Sequence, residues 1–164
     1  MSETTPYKQK DLTGSDFRGV PLSGQVLAHS TLTDCQFGNC EGVNFVCTHG
    51  ERINFAGAKI GGATFEKADE SVLRCLVGAV WNGVEITAVS GWLVTEGYWS
   101  YVTNAYVQCG CMVRQISEWI RICETMETIT ELGLDEENTV IAFDWWQKNS
   151  AVLIACSNDF AARG

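Results

Sequence analysis

Cys109-Gly110-Cys111 spaces two thiols so that, on a strand, they would point to one side and could offer two thiolates to zinc. The chain has no Cys-x-x-Cys, and a full site would have to recruit Cys123 or Cys156. The spacing therefore favours structural thiols, with no metal and no other cofactor. The two histidines, His29 and His49, would serve a catalytic triad or a thiol nucleophile only if one of them stood beside Ser or Cys in a pocket. Gly57-Ala58-Lys59-Ile60-Gly61-Gly62 is rich in glycine but lacks the Gly-Lys-Ser/Thr of a phosphate loop. No acid–base pair, nucleophile pair or metal cluster stands out, so the expectation is a protein that is not an enzyme.

The carboxylates carry more information. No Lys or Arg lies between Arg121 and Lys148, while Glu124, Glu127, Glu131, Asp135, Glu136, Glu137 and Asp144 supply seven negative charges. On a single helix Glu124, Glu127 and Glu131 would share one side, where like charges repel by about 0.2–0.5 kcal/mol per pair. Two explanations stand: a solvated face kept acidic for solubility, or a surface that imitates phosphate spacing and docks on a basic groove. Trp145 and Trp146 are adjacent, hence about 100° apart on a helix, and cannot both enter one narrow core. At least one of them is expected at an interface with another subunit or a target. The expected partner-binding residues are thus Glu124, Glu127, Glu131, Asp135, Glu136, Glu137, Trp145 and Trp146.

Eleven basic against 20 acidic side chains leave a net charge of −9. That balance argues against direct contact with nucleic acid or an anionic membrane, and points to a basic nucleic-acid-binding protein or complex as partner. Residues 1–10 have no apolar core and no small-residue cleavage site, and no stretch approaches a membrane span. The expectation is a cytoplasmic protein, in a bacterial host, whose eight Cys stay reduced.

The elements that position these residues begin with a repeat. Leu12, Phe17, Leu22, Leu27, Leu32 and Phe37 follow one another at five-residue spacing, a period belonging to neither helix nor strand. Phe45, Phe55, Ile60 and Phe65 resume it after an eight-residue step from Phe37, with Gly50 in the empty slot. Val43, Ile53, Ala58 and Ala63 stand two positions before these centres, Ala68 continues the row, and Val20 and Cys35 match it earlier. Asp11-Leu12, Asp16-Phe17, Asn44-Phe45, Asn54-Phe55 and Ala63-Thr64-Phe65 resemble the pentapeptide-repeat family, whose unit reads A-(D/N)-(L/F)-x-x. The resemblance covers residues 11 to about 70. It implies a right-handed quadrilateral β-helix with the centre and the small residue before it pointing inward. Residues 38–44, GNCEGVN, are expected to form a loop or bulge, with Cys35 and Cys40 as core fillers.

After about Leu73 the period fades. Val84 to Thr87, Trp92 to Thr95 and Tyr98 to Val107 read as strands between glycines, capping the repeat. Ile116, Trp119, Ile120, Cys123, Met126 and Ile129 fit one helix face ending near Gly133, and a second helix is expected from an Asn138 cap to about Cys156. The stretch from Val107 to Ile120 followed by Phe143 to Lys148 resembles the C-terminal segment of phage and prophage proteins, I-x-I-G-C-x-x-H-(S/T)-x-x-x-W and then a Trp pair. Arg114 and Gln115 replace its His and hydroxyl residue.

The expected fold is α+β: a short quadrilateral β-helix, then β-strands, then a helical segment. The expected organisation is a tail over 1–10, the β-helix over 11–75, a β cap over 76–111 and helices over 112–164. Some pentapeptide-repeat proteins mimic duplex DNA and bind DNA gyrase. With the acidic balance and the phage-like segment, this implies a phage- or prophage-encoded inhibitor acting by DNA mimicry, an anti-CRISPR or anti-restriction protein. A gyrase-binding protein and a structural spacer are the alternatives. Three coils at about 4.8 Å give a rod only ~15 Å tall, matching four or five base pairs of duplex at about 3.4 Å each. Imitation of a long duplex would need a homodimer, or the acidic helical face.

Overall fold

The structure, a computed structural model, describes residues 7–163. A β-turn follows nearly every repeat centre: the amides of Ser15, Gln25, Ser30, Cys35, Thr48, Ala58, Ala63 and Ala68 each donate to the carbonyl three residues back. The third residue of these turns has positive φ, at 78° in Gly14 and 73° in Gly57 and Gly62. That is the glycine position of a type II turn. His29, Asp34, Cys47 and Lys67 hold the same left-handed conformation, at 56–63°, despite carrying side chains.

Turn after turn, the chain comes back over itself. Parallel bridges join residues 20 positions apart at Asp11–Thr31, Asn39–Lys59 and Asn44–Thr64, but 18 apart at Val26–Asn44, Thr31–His49 and Gln36–Asn54. The shorter interval has one cause. Pairs spanning Phe37 to Cys40 lose two residues, because Cys40 takes the next inward centre, its carbonyl accepting from Val43. The expected loop over 38–44 is thus corrected to a shortened repeat, while Cys40 is the core filler expected of it, fully buried at a centre. Gly38 allows it: a Cβ there would lie 2.6 Å from the Arg18 carbonyl oxygen.

The expected right-handed quadrilateral β-helix is also corrected. With a turn at every fifth residue, few consecutive residues stay extended. Only β1 (Asp16–Phe17) and β2 (Gln36–Phe37) pair as strands in this region, in parallel. Its other parallel contacts are single-residue bridges. The fold is α+β, with separate sheets of two, two and three strands and three α-helices among the described residues.

Side chains at the centres fill the interior. Leu22, Leu27, Leu32, Phe45, Ile60 and Phe65 are at most 1% exposed. Phe17, Phe37 and Phe55 form one ring stack with centroids 5.3 and 5.0 Å apart, and Phe45 and Phe65 a second at 4.7 Å. The two stacks meet edge to face. Cys35, Val43, Ala58 and Ala63, two positions before a centre, are buried beside them, and Ala68 continues the row, also buried, since only small groups fit next to a ring at interior packing density. Of the tail expected over 1–10, residues 1–6 lie outside the described residues; Tyr7 packs edge-on against Phe17 at 5.4 Å.

Beyond Asp69 the chain forms α1 (Glu70–Arg74) and a hairpin of β3 (Val80–Trp81) and β4 (Val84–Glu85). Asn82 and Gly83, φ 47° and 85°, give its reversal the shape of a primed turn. A three-stranded antiparallel meander follows: β5 (Ser100–Val102), β6 (Val107–Cys109) and β7 (Met112–Arg114). Of the expected strands, Val84 to Thr87 is half realised, Trp92 to Thr95 contributes one bridge, Val94–Ser100, and Tyr98 to Val107 is split by a reversal. Gln108, fully buried on β6, joins this sheet to the repeat: the Phe65 amide donates to its Oε1 at 3.2 Å, and its Nε2 donates to Gly110 O at 2.8 Å.

The helices depart from their expected bounds. The face expected to run to Gly133 is cut, with α2 covering Ile116–Ile122. Thr125 and Thr128 hydroxyls accept each other's amides, and Thr128 Oγ1 donates to Ile122 O at 2.8 Å. Hydroxyls that capture backbone groups in this way compete with helix propagation. A 3-10 turn over Thr128–Leu132 ends at left-handed Gly133. The second helix, α3, covers Glu136–Arg163. Asp135 caps it in place of the expected Asn138, its Oδ1 accepting from the Asn138 amide at 2.8 Å. Among the described residues no helix is long and apolar enough to cross a membrane.

Candidate functional site

Because α2 stops at Ile122, the acidic residues do not line one helix side as the spacing predicts. Glu124 and Glu127 lie on the turn after α2, Glu131 on the 3-10 turn, Asp135 at the α3 cap, Glu136 and Glu137 in its first turn, and Asp144 further along; all seven are exposed. Glu131 is neutralised: Arg121 grips it with two bonds of 3.0 and 3.1 Å, holding its carboxyl below the usual range. Asp135 is occupied as a cap, and the Asn138 amide lowers its pKa. Glu136 and Glu137 complement the positive end of the α3 dipole. Glu124, Glu127, Glu136, Glu137 and Asp144 make no ion pair with any described residue. The result is a wrap of free negative charge around the turn and the head of α3.

The tryptophans are placed otherwise than expected. Both turn toward their own chain, which resolves the conflict of two neighbours and one narrow core by giving them different partners. Trp146 is 6% exposed and stacks on Trp119 with centroids 6.3 Å apart. Trp145 is half-buried, donates its indole N–H to Glu96 O at 2.8 Å and meets Tyr98 edge-on at 5.3 Å. Gly97, φ 75°, lies so close that a Cβ would stand 2.8 Å from Trp145 Cδ1. Trp146 is thereby withdrawn from any partner surface, and Trp145 offers only a rim.

Between the meander and the helices lies a cavity of about 150 Å³, walled by Tyr98, Trp119, Trp145, Trp146, Cys109 and Cys123. Cys109 ends β6 opposite Met112, and Cys111 sits in the reversal between them, exposed. The two thiols of the Cys-Gly-Cys are therefore parted rather than set on one side of a strand. Among the described residues no three His, Cys, Asp or Glu side chains gather where a metal could be held. Of the histidines, His29 holds an exposed turn corner and His49 pairs with Asp69 at 3.3 Å.

Burial pushes Cys40 and Cys109 up to about 12 and Cys123 to about 11, from an ordinary 9.0. A thiol kept neutral by burial is a poor nucleophile at neutral pH. It also ties stability to alkaline pH. Between pH 9 and 11–12 the unfolded chain sheds protons that the folded one keeps, so stability is full below pH 9 and is lost as pH rises through that window. Urea melts at pH 8 and pH 10 should show the lower midpoint at pH 10. Alkylation of the folded protein at pH 8 should mark Cys111 well before Cys109 and Cys123. Equal labelling of all three would contradict the burial described.

Two features were missed by reading the sequence. The Arg121–Glu131 grip spans ten positions across a broken helix, and no helical spacing signals it. The exposed Val140, Ile141 and Val152 on α3 share the side opposite its buried residues, a grouping that a helical wheel over 138–156 displays. No known protein-family profile matches this chain, and no curated protein or solved structure matches it either.

Proposed function

We propose that this protein is a non-catalytic inhibitor, phage- or prophage-encoded, that presents the free carboxylates around the head of α3 to a basic surface on a nucleic-acid-binding machine. An anti-CRISPR or anti-restriction role is the reading the resemblance of the C-terminal segment favours. The observation that carries it is the set Glu124, Glu127, Glu136 and Glu137, exposed and without ion-pair partners among the described residues. Elsewhere, Arg18, Arg52, Arg74, Arg114 and Arg163 each sit beside a carboxylate of their own region, and the carboxylates without ion pairs among the described residues, Asp11, Glu41, Glu66, Glu85 and Glu96, are spread singly along the chain instead of clustered as they are between positions 124 and 137. A surface kept acidic for solubility alone would not select its target.

The test is a pull-down from bacterial lysate with wild type and a Glu124→Lys, Glu127→Lys, Glu136→Lys, Glu137→Lys variant. DNA displacement from the recovered protein follows. Glu131 is left alone because Arg121 already neutralises it. Wild type should displace labelled duplex, with affinity falling steeply as salt rises, since screening acts within about 8 Å at physiological ionic strength. The variant should lose at least about tenfold; Glu136→Lys and Glu137→Lys also place cations at the positive end of the α3 dipole, at about 0.3–1 kcal/mol each, so its melting curve should fall modestly and is compared with wild type to show that it remains folded. Equal displacement by both proteins would remove this surface from the function.

A further inference from the structure

We propose that the outward face of α3 is a self-pairing surface, on which a second copy of this chain docks antiparallel about a two-fold axis at the level of Trp146. The inward side of α3 is fixed by the buried Thr139, Ala142, Trp146, Leu153 and Phe160. Directly opposite, Glu137, Val140, Ile141, Asp144, Lys148, Ala151, Val152 and Ala155 are all exposed. Val140, Ile141 and Val152 leave 45, 50 and 44% of their surface in water, an unusual load of β-branched apolar groups for one solvent face.

The positions of these residues, though not all of their types, are symmetric about 146. Turned end over end about position 146, Val140 lies opposite Val152, Ile141 opposite Ala151, Asp144 opposite Lys148 and Glu137 opposite Ala155. Each pairing occurs twice by symmetry, as an isologous interface requires. Ala151 leaves room for Ile141, so the two backbones can approach closely. Asp144 and Lys148 form no ion pair with described residues of their own chain, which leaves both free to pair across the axis.

The same charges exclude the alternatives. A parallel arrangement, or an antiparallel one centred on 144 or 148, would set Asp144 against Asp144 or Lys148 against Lys148. Like charges placed opposite one another disfavour such registers. Lys148 is the single basic residue of α3 before Arg163, so no other residue in that stretch could replace it in the pairing.

Sedimentation equilibrium of the full chain, at physiological salt and tens of micromolar protein, should give twice the 18.0 kDa chain mass. Asp144→Lys alone and Lys148→Asp alone should each weaken association by about tenfold or more, since both copies of the pair become repulsive. Two restorations follow. The double exchange D144K with K148D should recover association to within about threefold of wild type, and a mixture of the two single variants should form a mixed dimer. Melting curves of each variant separate lost association from lost folding. A monomer at every concentration would overturn the proposal, as would association unaffected by the single exchanges or unrestored by the double one. Capture of some other protein by this face, with the chain itself monomeric, would overturn it as well.

Discussion

Replacing Phe55 by Ala should cost about 3–5 kcal/mol of folding stability. Its ring is 1% exposed, stacks on Phe37 at 5.0 Å and meets Phe45 and Phe65 edge-on at 5.7 and 5.9 Å. Removing it deletes three ring contacts at once and opens a hole that the neighbours cannot fill, because Phe45 and Phe65 are each held by the turn that follows them and Phe37 is stacked on Phe17. The cost should therefore sit at the upper end of the range. Phe17, which ends the same stack and is 5% exposed, is a fitting comparison with a smaller loss. Urea melts read both; a loss below about 1 kcal/mol for Phe55→Ala would mean that the rings do not form the core described.

Trp146→Ala should be of similar size, about 3–5 kcal/mol, by a different route. Trp146 couples α3 to α2 through Trp119 and walls the cavity beside it. Its loss would enlarge a void of about 150 Å³ instead of creating a separate one, so little collapse can offset the missing contacts. Trp145→Ala should cost less. That side chain is half-buried, and its loss leaves Glu96 O open to solvent rather than stranded. Chemical denaturation of the two variants, with near-ultraviolet circular dichroism reporting the indoles, separates them; equal losses would contradict the different burial of these neighbours.

The five-residue register was readable because every period ends in a turn that places the next Leu or Phe inward, and five is a spacing no other regular element produces. Two features inside it were not readable. Cys40 carries no sign that it replaces a Leu or Phe as a centre, so the shortened repeat looked like a loop. How much regular strand the repeat contains was likewise beyond the pattern, because side-chain periodicity reports which groups are inward and not how many residues pair. In the helical part, apolar spacing from Ile116 to Ile129 continued across a break made by two threonine hydroxyls. Hydrophobic periodicity does not register hydroxyl competition for the backbone. The acidic residues are exposed, while their common helix face and the freedom of Glu131 depended on a helix that ends at Ile122; Trp146 is buried because Trp119 of α2 packs against it, a contact that adjacency to Trp145 does not signal.

Gln108 has one more consequence. The last turns of the repeat would otherwise present the amide of Phe65 to whatever strand came next, and an unpaired row of this kind is a template on which another chain can lay its own backbone. A glutamine side chain is an amide with the same donor and acceptor as a peptide group, so Gln108 occupies that position with a group that cannot be extended further. The Phe65 amide is thereby closed by a side chain, a false final rung that leaves no open donor there for another backbone.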